Sequence, residues 1–333
     1  MKRLIIAIVL IIVALIVGGG YAFLQAQQPS VGPLNGYKVS PSVAERRPIA
    51  ITIDNFAPDA RPQSGISQAS LVYETLAEGG ITRLMAVFLE HDSAMVGPIR
   101  STRIYFNHLA AGLGVILGHD GGNRDAQREL PSDSTIYNED SDYNHQPFWR
   151  TSTRAIPHNE YTSTYKLRAY AKAHGGSITG SRVTLPHKDD AALGQRPTNP
   201  IVLHVDFSYT DYNIEWSYDR ATNTYLRYAN GIPQTDASTG KQLSADNVVV
   251  MYTHERPDPD PYTPGSIYLD TEGSNKVTVY QDGKAMNGTW SKSDKDAPLR
   301  WLNSSGNQIP LNRGDTWVDL VPLGTPVSVN GTL

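Results

Sequence analysis

The 333-residue chain contains no cysteine. That excludes disulfides, thiol nucleophiles such as those of cysteine transpeptidases and thiol peptidases, and a lipid-modified N-terminal cysteine. No serine sits in a G-x-S-x-G turn, so the nucleophile elbow of the α/β-hydrolases is absent as well. The nine histidines include no H-x-H or H-x-x-x-H pair, so a transition-metal site would need convergence in space; no metal and no cofactor is expected. Basic runs are also missing. With 29 Lys+Arg against 33 Asp+Glu and a formal net charge of −4, nucleic acid is not the expected partner. Phenylalanine is scarce, 6 against 18 tyrosines, which favours rings with a polar tip for exposed sheet faces and wet grooves.

One long apolar run is present. Leu4–Leu24 carries no charge, follows Lys2 and Arg3, and is long enough to cross a bilayer as a helix with residues 1–3 as a cytoplasmic tip. A cleaved signal peptide is the rival reading, but Leu24-Gln25-Ala26 is a poor small-x-small cleavage site. The expectation is a single-pass membrane anchor with the bulk of the chain extracytoplasmic. Residues 25–47, polar with Pro29, Gly32, Pro33 and Gly36, read as a spacer.

An α/β domain is expected over 48–180 and a mostly-β domain over 200–322. Ile49–Ile53 is β-branched and strand-like, ending at Asp54-Asn55. Leu71–Leu76 and Ile81–His91 read as strands joined across Glu78-Gly79-Gly80. Arg100–Leu113 reads as a helix, Gly114–Gly118 as a strand, 123–130 and 159–173 as further helices, and 131–158 as irregular. Strand–helix alternation suggests the α/β class. From Ile201 onward short β-rich runs dominate, with Asp282-Gly283 and Asn287-Gly288 as hairpin signals and Asp258-Pro259-Asp260-Pro261 as a stiff loop.

Charged residues of the first domain gather at the ends of apolar runs. Asp54 and Asn55 follow a strand, where α/β proteins bind ligands, although either residue could simply cap the next turn. Glu74 and Glu78 could serve as acid and base, or could pair with Arg61, Arg83, Arg100 and Arg103 in a structural ion-pair network. The run G-P-I-R-S-T-R at Gly97–Arg103 would put Arg100, Ser101 and Arg103 on a helix N-terminus able to cradle an anion. His119-Asp120 ends another strand, and His158-Asn159 is a further polar candidate.

The ordered motifs I-T-I-D-N, R-P-Q-S-G, V-Y-E-T-L-A-E-G-G-I-T-R, V-G-P-I-R-S-T-R and H-D-G-G resemble the YerB-like family of bacterial extracytoplasmic proteins. W-S-Y-D at Trp216–Asp219 and G-D-T-W-V-D-L-V-P at Gly314–Pro322 resemble the start and end of that family's C-terminal part. The resemblance spans Pro48 to Pro322. It implies an α/β domain followed by a β-rich one, a place outside the membrane, and Asp54, Asn55, Arg61, Glu74, Glu78, Arg83, Arg100, Arg103 and His119 as characteristic positions. It assigns no activity. Family lipoproteins carry an N-terminal cysteine, whereas this chain has Leu4–Leu24 in its place.

The function expected is a non-catalytic, membrane-tethered cell-envelope protein that binds a polar, anionic envelope ligand or a partner protein. A wall polymer or peptide stem would offer carboxylates to the arginines. Asp54, Asn55, Arg61, Glu74, Glu78, Arg83, Arg100, Ser101, Arg103, His119 and Asp120 would line or support one cleft. The rivals are an envelope hydrolase using Glu74, Glu78 and Asp54, and a structural scaffold.

Overall fold

A computed structural model describes residues 29–199, 201–258 and 265–330. The expected membrane segment Leu4–Leu24 lies outside them, as does most of the Asp258–Pro261 loop. Among the described residues no helix is long and apolar enough to cross a membrane.

The fold has two domains and is rich in strands. The first part supplies β1 (Ile49–Asp54), β2 (Leu71–Leu76), β3 (Thr82–Phe88), helix α1 (Ile104–Leu113), β4 (Ile116–His119), α2 (Arg124–Glu129), β5 (Tyr137–Asp140), β6 (Phe148–Arg150), β7 (Glu160–Thr162) and α3 (Thr164–Ala173). The second supplies β8 (Val202–Asp206), β9 (Asn213–Asp219), β10 (Thr224–Ala229), β11 (Asn247–Thr253), β12 (Gly273–Gln281), β13 (Lys284–Lys292), β14 (Arg300–Leu302), β15 (Thr316–Pro322) and β16 (Val327–Val329).

Two large sheets result, beside small two-stranded ones such as β6-β7, and the larger belongs to both parts. Its ten strands run β14-β13-β12-β11-β15-β2-β3-β1-β4-β5. The sequence suggests two self-contained domains, but β11 and β15 continue the first domain's sheet, with β15 parallel to β2. Continuously apolar strands such as β1 and β11 are buried along their whole length, as expected where both faces of a sheet are covered. Odd positions Ile49, Ile51 and Ile53 enter one core with Leu167 of α3, while Ala50 enters the other with Phe106 and Leu109 of α1. The smaller sheet, β10-β9-β8-β16 with short edge strands, alternates instead. Its residues Ile214, Trp216 and Tyr218 point inward onto Val72, Val248 and Trp317 of the large sheet.

Several boundaries differ from the sequence reading. From residue 29 on, the expected spacer belongs to the fold. Leu34 is fully buried, and the Leu34 and Asn35 N–H groups donate to Glu90 Oε1. Helix α1 starts at Ile104, so Arg103 is its N-cap residue and Arg100 precedes it altogether. Residues 131–158 contain β5 and β6, with β5 the sheet's edge beside β4. The hairpin of β2 and β3 forms across Glu78–Gly80 as expected.

Candidate functional site

Strands β1, β4 and β5 run parallel, so their carboxyl ends open on one edge of the sheet, where α/β ligands are usually held. Asp54, His119 and Asp140 end these strands. Residues 97–103 cross that edge. Asp54 N–H donates to the Pro98 carbonyl, Arg100 N–H to that of Thr52, and Asp120 N–H to that of Arg100. The Arg100 guanidinium is thereby held 3.6 Å from Asp54 Oδ2 and 3.7 Å from Asp120 Oδ2, too long for hydrogen bonds, with 28% of the side chain exposed.

His158 Nδ1 lies 2.7 Å from Asp54 Oδ2, and its ring stacks on Phe56. The Ser141 hydroxyl donates to Asp120 Oδ1, and Arg150 pairs with Glu160. Burial, with Asp140 and Asp120 adding to it, raises the Asp142 carboxyl above its ordinary range. Burial and Asp120 do the same to Glu160. Carboxylates outnumber the cations here, an arrangement that disfavours a further anion at this edge. His119 is sealed in: Nδ1 donates to the Gly121 carbonyl and Nε2 meets the Asn138 side-chain amide, both at 2.7 Å. Among the described residues no group of three metal-ligating side chains converges.

The other expected residues form two separate clusters. At the hairpin tip Glu78 takes both Arg83, at 3.0 Å, and Arg103. Burial works to raise its carboxyl, but the two guanidiniums hold it down at about 2. Arg83 and Arg103 also donate to the Ser101 and Thr102 carbonyls, so Ser101 enters only through its backbone. The expected anion cradle is therefore not formed. Arg103 turns to Glu78, Arg100 turns to two aspartates, and neither stands on a helical first turn.

The third cluster is buried between the sheets. Glu74 of β2 pairs with Arg227 of β10 and accepts from Thr82 Oγ1 at 2.8 Å and from the Asn55 amide at 3.2 Å. Arg227 lies under Trp317 and Trp216, its carbon Cζ 4.3 and 4.9 Å from the ring centres. Asp319 stands beside Glu74 in the register of β15 and β2 and accepts from Trp216 Nε1 at 2.9 Å. Its carboxyl is pushed up to about 7, by burial first and by Glu74 second. Arg227, Trp216 and Asp319 escape the sequence reading. Yet Arg227 falls in the inward phase of β10 with Tyr225 and Ala229, and a charge there is the available signal. His158, a candidate in the sequence, gives no sign there of its partner, since Asp54 lies 104 positions away.

Arg61 touches the third cluster only through Asn55. Its Nε donates to Asn55 Oδ1 at 2.8 Å, its Nη1 to the Asp211 carbonyl at 2.8 Å, and it lies over Tyr212. Nη2 is buried without a hydrogen-bond partner. Arg61 lines a cavity of about 270 Å³ between 57–63 of the first domain and 229–235 of the second, with Pro58, Pro62, Ile232 and Pro233 as apolar walls. Beyond it, Asp236 clasps the domains by accepting from Gly65 and Ser67 N–H at 3.0 and 2.8 Å. A second cavity, of about 230 Å³, lies past the clasp.

Comparison with known proteins places these clusters in a family frame. Two family models match, described as the N-terminal and C-terminal domains of a protein of unknown function, DUF3048, over residues 34–177 and 203–318. A relative from Bacillus subtilis (strain 168) described as "Putative lipoprotein YerB" is 33% identical over 295 residues, 87% of this chain and 86% of the relative. The crystal structure of YerB protein from Bacillus subtilis matches with a TM-score of 0.81 at 30% identity, covering 90% of this chain and 99% of that one.

Proposed function

The chain belongs to the DUF3048 family, and on that premise we propose a membrane-tethered envelope protein that holds a carboxylate-bearing ligand between its two domains. Leu4–Leu24 would be the tether, leaving the folded part outside the membrane. The ligand would be a wall peptide stem or a carboxylate of an envelope partner, and no catalysis is assumed. A single observation carries this reading: Arg61 lines an interdomain cavity with one guanidinium nitrogen buried and unpartnered. A carboxylate would complete that guanidinium in the fork geometry that arginine favours, against apolar walls that strengthen the charge-assisted bonds. Burial also lowers the Arg61 pKa from its ordinary value, which is the direction an incoming anion reverses.

Calorimetry on the full chain with muramyl dipeptide tests this reading. The free carboxyl should bind, the same compound with that carboxyl amidated should not, and Arg61→Lys should weaken binding by about tenfold or more. Equal binding of the amidated compound, or an Arg61→Lys variant that binds as the parent does, would sink the proposal.

One observation favours a second, catalytic reading. Glu74 and Glu78, the carboxylates expected to do acid/base work, are each held by arginine. His158 instead shares a 2.7 Å contact with Asp54, and among the described residues no hydrogen bond is made at its Nε2. An imidazole so oriented can take a proton from water. A hydrolase built this way would release soluble fragments from purified walls and lose that release in His158→Gln. Walls left intact by the parent protein would rule it out.

A further inference from the structure

We propose that the second interdomain cavity is a separate binding site, one that takes a small organic ammonium ion on the carboxylate of Asp315. The cavity lies at the head of β2 and β15 and is closed by Lys241–Ala245 of the second domain and Ile66–Ala69 of the first. Its walls are apolar over Ile66, Ala69, Val72, Leu243 and the Trp317 ring. Asp315 brings a carboxyl group to this space, and nothing hydrogen-bonds or ion-pairs with it among the described residues.

The groups behind Asp315 leave the deficit uncorrected. Asp246 accepts from the Asp315 N–H at 2.8 Å, and Glu90 accepts from Leu34 N–H, Asn35 N–H and the Ser70 hydroxyl. All these donors are neutral. Among the described residues none of the three carboxylates has a cationic partner, although Lys241 lines the cavity. Burial, with Asp246 and Glu90 adding to it, pushes Asp315 up to about 8; burial pushes Asp246 up to about 6. Near neutral pH Asp315 therefore keeps a proton where a cation would otherwise sit.

An ammonium ion replaces such a proton, while its alkyl or aryl body covers the apolar wall and the Trp317 ring. The Ser67 hydroxyl lines the same cavity, buried and without a partner, and is available to accept one ammonium N–H. A carboxylate cannot take the proton's place in this way. This site has the opposite polarity to the Arg61 cavity and does not depend on that reading.

The test uses the full chain with phenethylammonium and its near-isosteres hydrocinnamate and hydrocinnamamide. Titration calorimetry near neutral pH, in two buffers of different ionisation enthalpy, counts the protons released. Phenethylammonium should bind with release of a fraction of a proton, and the two isosteres should bind at least about tenfold more weakly. Asp315→Asn should lose about tenfold or more in ammonium binding. Ser67→Met, which fills the cavity and leaves the carboxylates in place, should abolish binding even if Asp315→Asn fails to fold. Arg61→Lys should change nothing here. The amide binding as tightly as the ammonium, full binding by Ser67→Met, or no binding by the parent would each overturn the proposal.

Discussion

Arg227, fully buried on Glu74, and Arg61, half-buried and linked to Glu74 through Asn55, come one from each domain and do different work. Arg227 meets the Glu74 carboxylate directly, donates from Nε to Gln234, and is roofed by two indoles. Its remaining nitrogen, Nη1, has no polar partner but lies within that aromatic enclosure. Arg61 reaches Glu74 only through Asn55, and its free nitrogen belongs to a side chain that lines a cavity. A buried cation enclosed on every side is a rivet between domains. One that lines a cavity with a nitrogen unpartnered is the cation that the proposed anion would meet.

The sharpest way to break this comparison is to remove the carboxylate from the rivet. Glu74→Gln keeps the shape but removes the carboxylate that Arg227 pairs with directly, leaving Asp319 as the nearest carboxyl group. The expected loss is about 3–5 kcal/mol in urea unfolding, the range for breaking one partner of a buried pair. Arg61→Lys should stay within about 1 kcal/mol of the parent, because Lys keeps the charge and most of the stem over Tyr212. If both changes cost the same, the two arginines share one structural role and the cavity loses its claim to a ligand.

Much of this layout is legible in the sequence, and the failures have physical causes. The β-branched run ending at Asp54-Asn55 and the glycine pair at Gly79-Gly80 announce β1 and the hairpin locally, because the strand period and turn chemistry are short-range. Which charges meet is not short-range. Glu74 pairs with a residue 153 positions away, and β15 joins β2 through a parallel register that leaves no local pattern. The helix start moved from Arg100 to Ile104 because the arginines preceding it are drawn to carboxylates on neighbouring strands. Strand β5 was hidden because Tyr137-Asn138-Glu139-Asp140, on the sheet's edge, has no apolar alternation. One expected cleft thus became three clusters, and the arginine that lines an interdomain cavity is Arg61 rather than Arg100 or Arg103.

The smallest expected effect sharpens the comparison from the pH side. Asp319, beside Glu74 and Arg227, has its folded-state pKa pushed up to about 7 by burial and by Glu74, against an ordinary value near 4 in the unfolded chain. Between those values the folded protein holds the extra proton and the unfolded one does not. The contribution to stability is therefore full below about pH 4 and is lost as pH rises through 7. Asp319→Asn carries the neutral form permanently and can still accept from Trp216 Nε1. The parent's unfolding free energy should fall relative to the variant's by about 1.4 kcal/mol between pH 6 and 8. Asp315 and Asp246 titrate in the same direction in both proteins, so the difference between parent and variant isolates Asp319. A difference that stays flat over this interval would mean that Arg227 neutralises both carboxylates at once, and that the rivet carries no shared proton.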